Sequence, residues 1–220
     1  MEEIISPFRL SLLVASTATI LIAILGLALA YLLERVEFKG KNLLDALVTV
    51  PMVLPPTVVG YYLILLFGRE GLLGKPIYQL TGFGFSFSWE GAVLASTVVA
   101  LPLMIKVSKA AIGSVDPDLI KVSYSLGKSE WETFFRIILP LAKGGIMAGV
   151  VLSFARALGE FGATLMIAGN IPGKTSTMPL AIYSAFMGGH DERAQGLALL
   201  LTLFSIMTVY MAGYWSRNIR

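Results

Sequence analysis

The sequence predicts an all-α polytopic membrane protein, one domain over residues 1–220, with five transmembrane helices, or six if residues 175–189 cross. Three observations carry this expectation. The chain is 56% hydrophobic and only 14% charged, whereas soluble domains carry about 25% charged residues. Its apolar residues are gathered into runs long enough for a hydrocarbon core, which takes about 20 residues of helix. A single polar stretch, residues 116–140, interrupts these runs with the signals of two short amphipathic helices.

Residues 10–33 form the first span, an uncharged run of 24 residues. Ser16, Thr17 and Thr19 sit within it, where hydroxyls can bond back to the helix backbone. The run is too long for a cleavable leader and follows Glu2, Glu3 and Arg9, so no leader is expected. A short charged loop, residues 34–41, makes the second span an antiparallel neighbour. That span, residues 46–68, contains Pro51, Pro55 and Pro56. Three prolines remove three backbone donors and break or bend the helix. Such a break at membrane depth needs protein or water to satisfy the freed carbonyls. Two readings stay open here: a structural kink, or a broken helix lining a transport route at Pro55, Pro56 and Thr57. Residues 69–90 form a glycine- and aromatic-rich connection, with Phe83, Phe85, Phe87 and Trp89 suited to an interfacial belt. The third span runs from about residue 89 to 107 and bends at Pro102.

The polar interruption follows. Asp116 before Pro117 reads as a helix start, an acceptor at the N-cap and a ring at the first helical position. Val115, Leu119, Val122 and Leu126 then fall on one face. Gly127 can take the left-handed conformation that ends a helix. Ser129 with Glu132 forms a capping box that restarts the chain. Trp131, Phe134, Phe135 and Ile138 give the second helix its stripe, and Pro140 closes the unit. From physics alone this is an amphipathic loop on a membrane surface.

The fourth span, residues 143–169, carries Gly145 and Gly149, with Ala155 and Gly159 repeating the small-residue spacing that permits close helix approach. It also carries Arg156 and Glu160 one turn apart on a single face. Ionisable groups at this depth face a bundle interior or a wet cavity. They are either a structural ion pair or, with Phe161, Gly162 and Thr164, part of a pathway. Residues 170–179 are a polar loop. Residues 175–189, interrupted by Pro179, are too short to span comfortably and read as a re-entrant or surface half-helix. His190 lies in a hydrophilic loop tip and is expected to be solvated. Residues 196–216 form the last span, before the basic tail of Arg217 and Arg220.

With five spans and residues 116–140 inside, inner segments hold 11 lysines and arginines against 5 outside. The positive-inside rule then puts the N-terminus outside and the C-terminus in the cytoplasm of a multi-pass inner-membrane protein. The small, dispersed basic excess speaks to orientation in a lipid bilayer and not to nucleic acid. The chain has no cysteine and one histidine, which excludes thiolate and His-pair metal sites. It has no Walker A sequence, so ATP hydrolysis must belong to another chain. Ser153 and Glu160 could be nominated as the nucleophile and base of an intramembrane enzyme. They lie seven residues apart with no oxyanion hole suggested, and no catalytic role is expected.

Gly127 is followed after nine residues by Ile137, Ile138, Leu139 and Pro140. This resembles the E-A-A-x3-G-x9-I-x-L-P loop of the permease subunits of bacterial and archaeal ABC importers, with Lys121, Val122 and Ser123 at the E-A-A positions. Longer blocks, L-P-P-T-V-V-G from Leu54 and R-A-L-G-E-F-G-A from Arg156, resemble the molybdate-type permeases; sulfate and thiosulfate permeases share looser versions. The resemblance implies a type I importer permease working as a homodimer. It implies two cytoplasmic ABC ATPase subunits that carry the ATP and magnesium, with no cofactor on this chain. It also implies an extracytoplasmic binding protein that delivers an oxyanion, molybdate or tungstate. Lys121, Val122, Ser123, Gly127, Ile137, Leu139 and Pro140 would then form the ATPase-coupling contact. A sulfate or thiosulfate importer is the alternative. A secondary transporter or channel would explain the spans, but not the restarted loop.

Overall fold

The uncharged run at the start of the chain grows into a helix longer than itself, α1, Glu2–Arg35. Thr19 Oγ1 donates to the Ala15 carbonyl at 2.6 Å, the back-bond expected of a hydroxyl inside an apolar helix. The computed structural model describes the backbone of residues 2–218 and the side chains of residues 4–211. The basic tail expected at Arg217 and Arg220 lies outside the described side chains. Beyond α1 come α2 (Lys41–Val53), α3 (Pro56–Phe67), α4 (Gly74–Thr81), α5 (Trp89–Gly113), α6 (Pro117–Ser125), α7 (Glu130–Thr133), a π-helical turn (Phe134–Ile138), α8 (Leu139–Leu158), α9 (Gly162–Ala168), α10 (Met178–Met187) and α11 (Asp191–Asn218).

Helix α5 is the axis of the bundle. In its most apolar stretch 67% of residues are buried inside the protein, against 28% for α1 and 11% for α11. It runs on to Gly113, six residues past the expected end at 107. Helices α1 and α8 pack along it. The close approach expected of Gly145 and Gly149 is made with α5. A Cβ at Gly145 would lie 2.5 Å from Ala111 Cβ, and one at Gly149 would lie 3.1 Å from Met104 Sδ. Gly159 does not extend this seam, since a Cβ there would approach only the Ala155 carbonyl of its own helix.

Among the described residues four helices are long and apolar enough to cross a membrane: α1, α5, the run Glu130–Leu158, and α11. The fifth passage is not one helix. Instead of a bent span over 46–68, α2 and α3 meet at 117°. Leu54, which precedes a proline, is held extended at ψ 146° because the pyrrolidine ring excludes the helical region for its neighbour. The pair still covers the length of α5. Asp45 in α2 binds Lys106 and Lys109 at one end, at 2.7 and 2.8 Å. Phe67 in α3 packs edge-on against Phe85, beside the other end.

The expected fourth span over 143–169 is also broken. Helix α8 stops at Leu158, and α9 restarts at Gly162. No proline causes this. Gly159 is a weak helix former, and the Glu160 carboxylate accepts the Ala163 N–H at 2.9 Å, as an N-cap residue would. Arg156 and Glu160 therefore do not share one continuous helical face. Helix α10, with 10 residues, reaches about 15 Å at 1.5 Å per residue and is half the length of a crossing. The last helix starts at Asp191, five residues before the expected 196. A short helix, α4, lies in the connection expected to be irregular.

Candidate functional site

The two broken passages meet at their breaks. Pro55 caps α3, its carbonyl accepting the N–H groups of Val58 and Val59 at 2.9 and 3.2 Å, and Pro56 opens the helix. Next to it is the start of α9. A Cβ at Gly162 would lie 3.1 Å from Pro56 Cβ and 3.2 Å from Thr57 N. One turn on, a Cβ at Gly60 would lie 2.7 Å from Met166 Cβ and 2.8 Å from Ala163 Cα. The two short helices thus run side by side in the same direction, in contact through glycine. The expected residues Pro55, Pro56 and Thr57 are brought together with Phe161, Gly162 and Thr164. Pro55 and Thr57 are exposed, whereas Gly162 and Thr164 are buried.

Arg156 and Glu160 remain paired across the break in the fourth passage, Nη1 to Oε2 at 2.8 Å. Their exposure is unequal: 36% for the arginine side chain and 1% for the glutamate. Glu160 thus does two things from one buried carboxylate. One oxygen holds the first turn of α9, and the other neutralises an arginine that faces open space.

The second cluster is the polar interruption. All of its expected caps are present. Asp116 accepts the Asp118 N–H at 2.9 Å. Gly127, at φ +76°, closes α6 with the paired bonds of a Schellman turn, Lys128 N–H to Ser123 O and Gly127 N–H to Tyr124 O. Ser129 and Glu132 exchange the two bonds of a capping box. Ser123 then meets Thr133, hydroxyl to hydroxyl at 2.8 Å in a buried contact, and locks α6 onto α7.

Three expectations about this stretch need correction. The face of α6 turned into the protein is that of Ile120 and Ser123, at 2% and 3% exposure. Of the expected apolar stripe only Val115 is buried; Leu119, Val122 and Leu126 point outward. The stripe on α7 divides as well. Phe134 and Ile138 are buried, while Trp131 and Phe135 stack on each other in the open. Apolar periodicity marks a face but not its partner. Here the hydroxyl pair Ser123–Thr133 took the interior and left the larger apolar residues outside.

The third correction concerns Pro140, which does not close the unit. The chain runs without a break from Glu130 to Leu158. Proline tolerates the second position of α8 because the preceding turn is π-helical, with Leu139 N–H bonding five residues back to the Phe134 carbonyl. The second amphipathic helix is therefore the base of the fourth passage. Of the expected contact residues, Lys121 and Val122 are exposed, Ser123 is buried, and Ile137 and Leu139 lie in the shaft.

Two contacts here were not legible. Tyr31 in α1 donates to Glu130 at 2.8 Å and packs edge-on against Phe134. Asp45 bridges α2 to α5 through two lysines that the sequence offers only as orientation markers. The spacing of Lys106 and Lys109, one turn apart, was the available signal.

An exposed apolar platform beneath a helical bundle, with two broken passages above it, is the architecture of a transporter's membrane subunit. The chain matches, over residues 22–220, the family described as the inner membrane component of binding-protein-dependent transport systems, and it belongs to that family. It is 42% identical to the molybdenum transport system permease protein ModB of Haemophilus influenzae, over 98% of this chain and 95% of that protein. To the sulfate transport system permease protein CysW of Synechococcus elongatus it is 36% identical, over 92% of this chain and 71% of that one. A solved bacterial alginate ABC transporter, in complex with an alginate pentasaccharide-bound periplasmic protein, shares the fold. It matches with a TM-score of 0.81 at 18% identity, over 100% of this chain and 80% of that chain.

Proposed function

We propose that the chain is the membrane subunit of an ATP-driven oxyanion importer, with molybdate or tungstate as cargo. It works as a homodimer on two cytoplasmic ATPase subunits and receives its anion from an external binding protein. The observation that carries the mechanism is the outward face of residues 116–140. Leu119, Val122, Leu126, Trp131 and Phe135 are 46–74% exposed on a segment whose every end is capped. Such a patch on a rigid base fits a partner protein. Greater identity to the molybdenum permease than to the sulfate permease supports the cargo.

In this mechanism the N-terminus is extracytoplasmic and the loop cytoplasmic, the orientation that the lysine and arginine distribution favours. Closure of the ATPase dimer pushes on α6 and α7. The unbroken run Glu130–Leu158 carries the displacement to Glu160, and the α3–α9 contact moves with it. The paired Arg156 and Glu160 keep the local field near neutral, so a dianion can pass without being trapped or repelled.

The test is uptake into proteoliposomes holding this chain with its ATPase subunits and binding protein. Molybdate should enter only with ATP inside the nucleotide-accessible compartment and with no ion gradient imposed. Uptake without ATP would reject the ATP-driven reading. Uptake of sulfate alone would reject the cargo.

A further inference from the structure

Opposite the 116–140 loop, the start of α1, the turn after α9 and the α10–α11 corner enclose a cavity of about 490 Å³. Its polar lining consists of Ser6, Asn170, Ser176, Ser184, His190 and Arg193. Hydroxyls, an imidazole and a guanidinium can donate hydrogen bonds there, and among the described residues no carboxylate lines the cavity. Asp191 and Glu192 instead line a shallow depression beside it, together with His190 and Arg193. A second cavity shares Ser6 and Gly173 with the first and adds Arg9. Basic groups therefore flank the space from both sides.

The cavity is built rather than incidental. The elements around it are joined where the Met178 N–H donates to Ser11 Oγ at 2.7 Å, tying the start of α10 to α1. One wall is held by Asn170, which donates to the Leu180 carbonyl. Ser176 is 7% exposed. Its hydroxyl makes no hydrogen bond to the protein among the described residues, and neither do the side chains of Ser6, Ser184 and His190. The Ser176 hydroxyl opens on the cavity and can donate to whatever fills it. Asn170 also follows α9 closely, and that helix of seven residues rises about 10 Å at 1.5 Å per residue from Gly162. The cavity thus lies roughly one short helix beyond the Arg156–Glu160 pair.

We infer that this cavity is an oxyanion-binding vestibule: a site on the permease itself that holds a tetrahedral dianion before it reaches Arg156. The volume exceeds that of one such ion, so bridging waters complete its shell. The site deepens the oxyanion-import reading and rests on it.

The test is equilibrium dialysis of the full-length chain in lipid nanodiscs, without a binding protein, against molybdate, sulfate and phosphate in turn. Saturable molybdate binding is expected. It should weaken at least tenfold in the double variant Ser176→Ala/His190→Gln, and also in Arg193→Gln. Arg69→Gln, at a distant loop, should leave it unchanged. Because Arg193 has a further interaction in the fold, the double variant decides if Arg193→Gln fails to elute as the parent does. Absence of saturable binding of any of the three anions overturns the vestibule, as does equal affinity in the double variant. Loss of binding-protein association with no free-anion binding also overturns it. Cavity-dependent binding of sulfate or phosphate but not molybdate supports the vestibule while rejecting the cargo. ATP-driven molybdate uptake by a chain that binds no free anion rejects the vestibule while leaving the import reading intact.

Discussion

Gly60→Val would push apart the two short helices at the centre of the fold. Its new Cβ would lie 2.7 Å from Met166 Cβ and 2.8 Å from the Ala163 backbone. Carbon atoms settle at about 3.5–4.0 Å, so α3 and α9 must separate by roughly 0.7–1.3 Å. Overpacking of this kind costs about 1–3 kcal/mol, and backbone atoms on the far side place it toward the upper end. Replacing glycine in a helix returns only a few tenths of a kcal/mol when the newcomer is β-branched. A chain of this size loses about 2–4 °C of Tm per kcal/mol, so a fall of roughly 5–10 °C is expected. Thermal unfolding followed by tryptophan fluorescence, on the purified transporter, reads this directly. Gly144→Val is the matched control, since nothing lies within 4 Å of a Cβ there. Uptake should fall with Gly60→Val and not with Gly144→Val. Equal melting temperatures for the two variants would refute the close approach of α3 and α9.

Gly127→Val places a β-branched residue at φ +76°, where nothing clashes but the backbone itself is strained by at least about 1–2 kcal/mol. The chain should still insert, yet co-purify poorly with its ATPase; full recovery of the ATPase would remove the platform reading. Arg156→Gln should destabilise more than Glu160→Gln. It strands a buried carboxylate, at about 3–5 kcal/mol, whereas Glu160→Gln keeps an acceptor for the Ala163 N–H and leaves an arginine that reaches solvent. Gel filtration and uptake, measured together, check the order; a reversed order would place the charge balance elsewhere. For topology, Ser6→Cys should label only from outside and Lys128→Cys only from the cytoplasm, in a chain with no other cysteine. Label from the opposite side at either position contradicts the orientation.

Much of this was legible because the signals were local. Asp116, Gly127, Ser129 and Glu132 make their bonds within five residues, so spacing alone disclosed them. Pro55 and Pro56 announced the first break for the same reason. The second break escaped notice because Glu160, read as half of an ion pair, also accepts an N–H from the first turn of α9, and that acceptor role depends on the chain having already stopped at Gly159. The outward turn of Leu119, Val122 and Leu126 was hidden by a long-range fact, the Ser123–Thr133 contact across two helices. Pro140 misled in the opposite sense: a π-turn removes its conflict with the helix, and such a turn leaves no mark in periodicity.

That turn has a mechanical consequence. The 29 residues of Glu130–Leu158 form a shaft about 43 Å long at 1.5 Å per residue, and its one region of non-standard winding lies at the foot. A tilt at the foot of a long shaft is magnified at its tip. A tilt of about 5° at Phe134–Ile138 sweeps the tip near Arg156 through roughly 3 Å over the 1.5 Å per residue rise above it, enough to exchange one hydrogen-bond partner for another. A small stroke at the base would thus arrive at the tip as a displacement the length of a hydrogen bond.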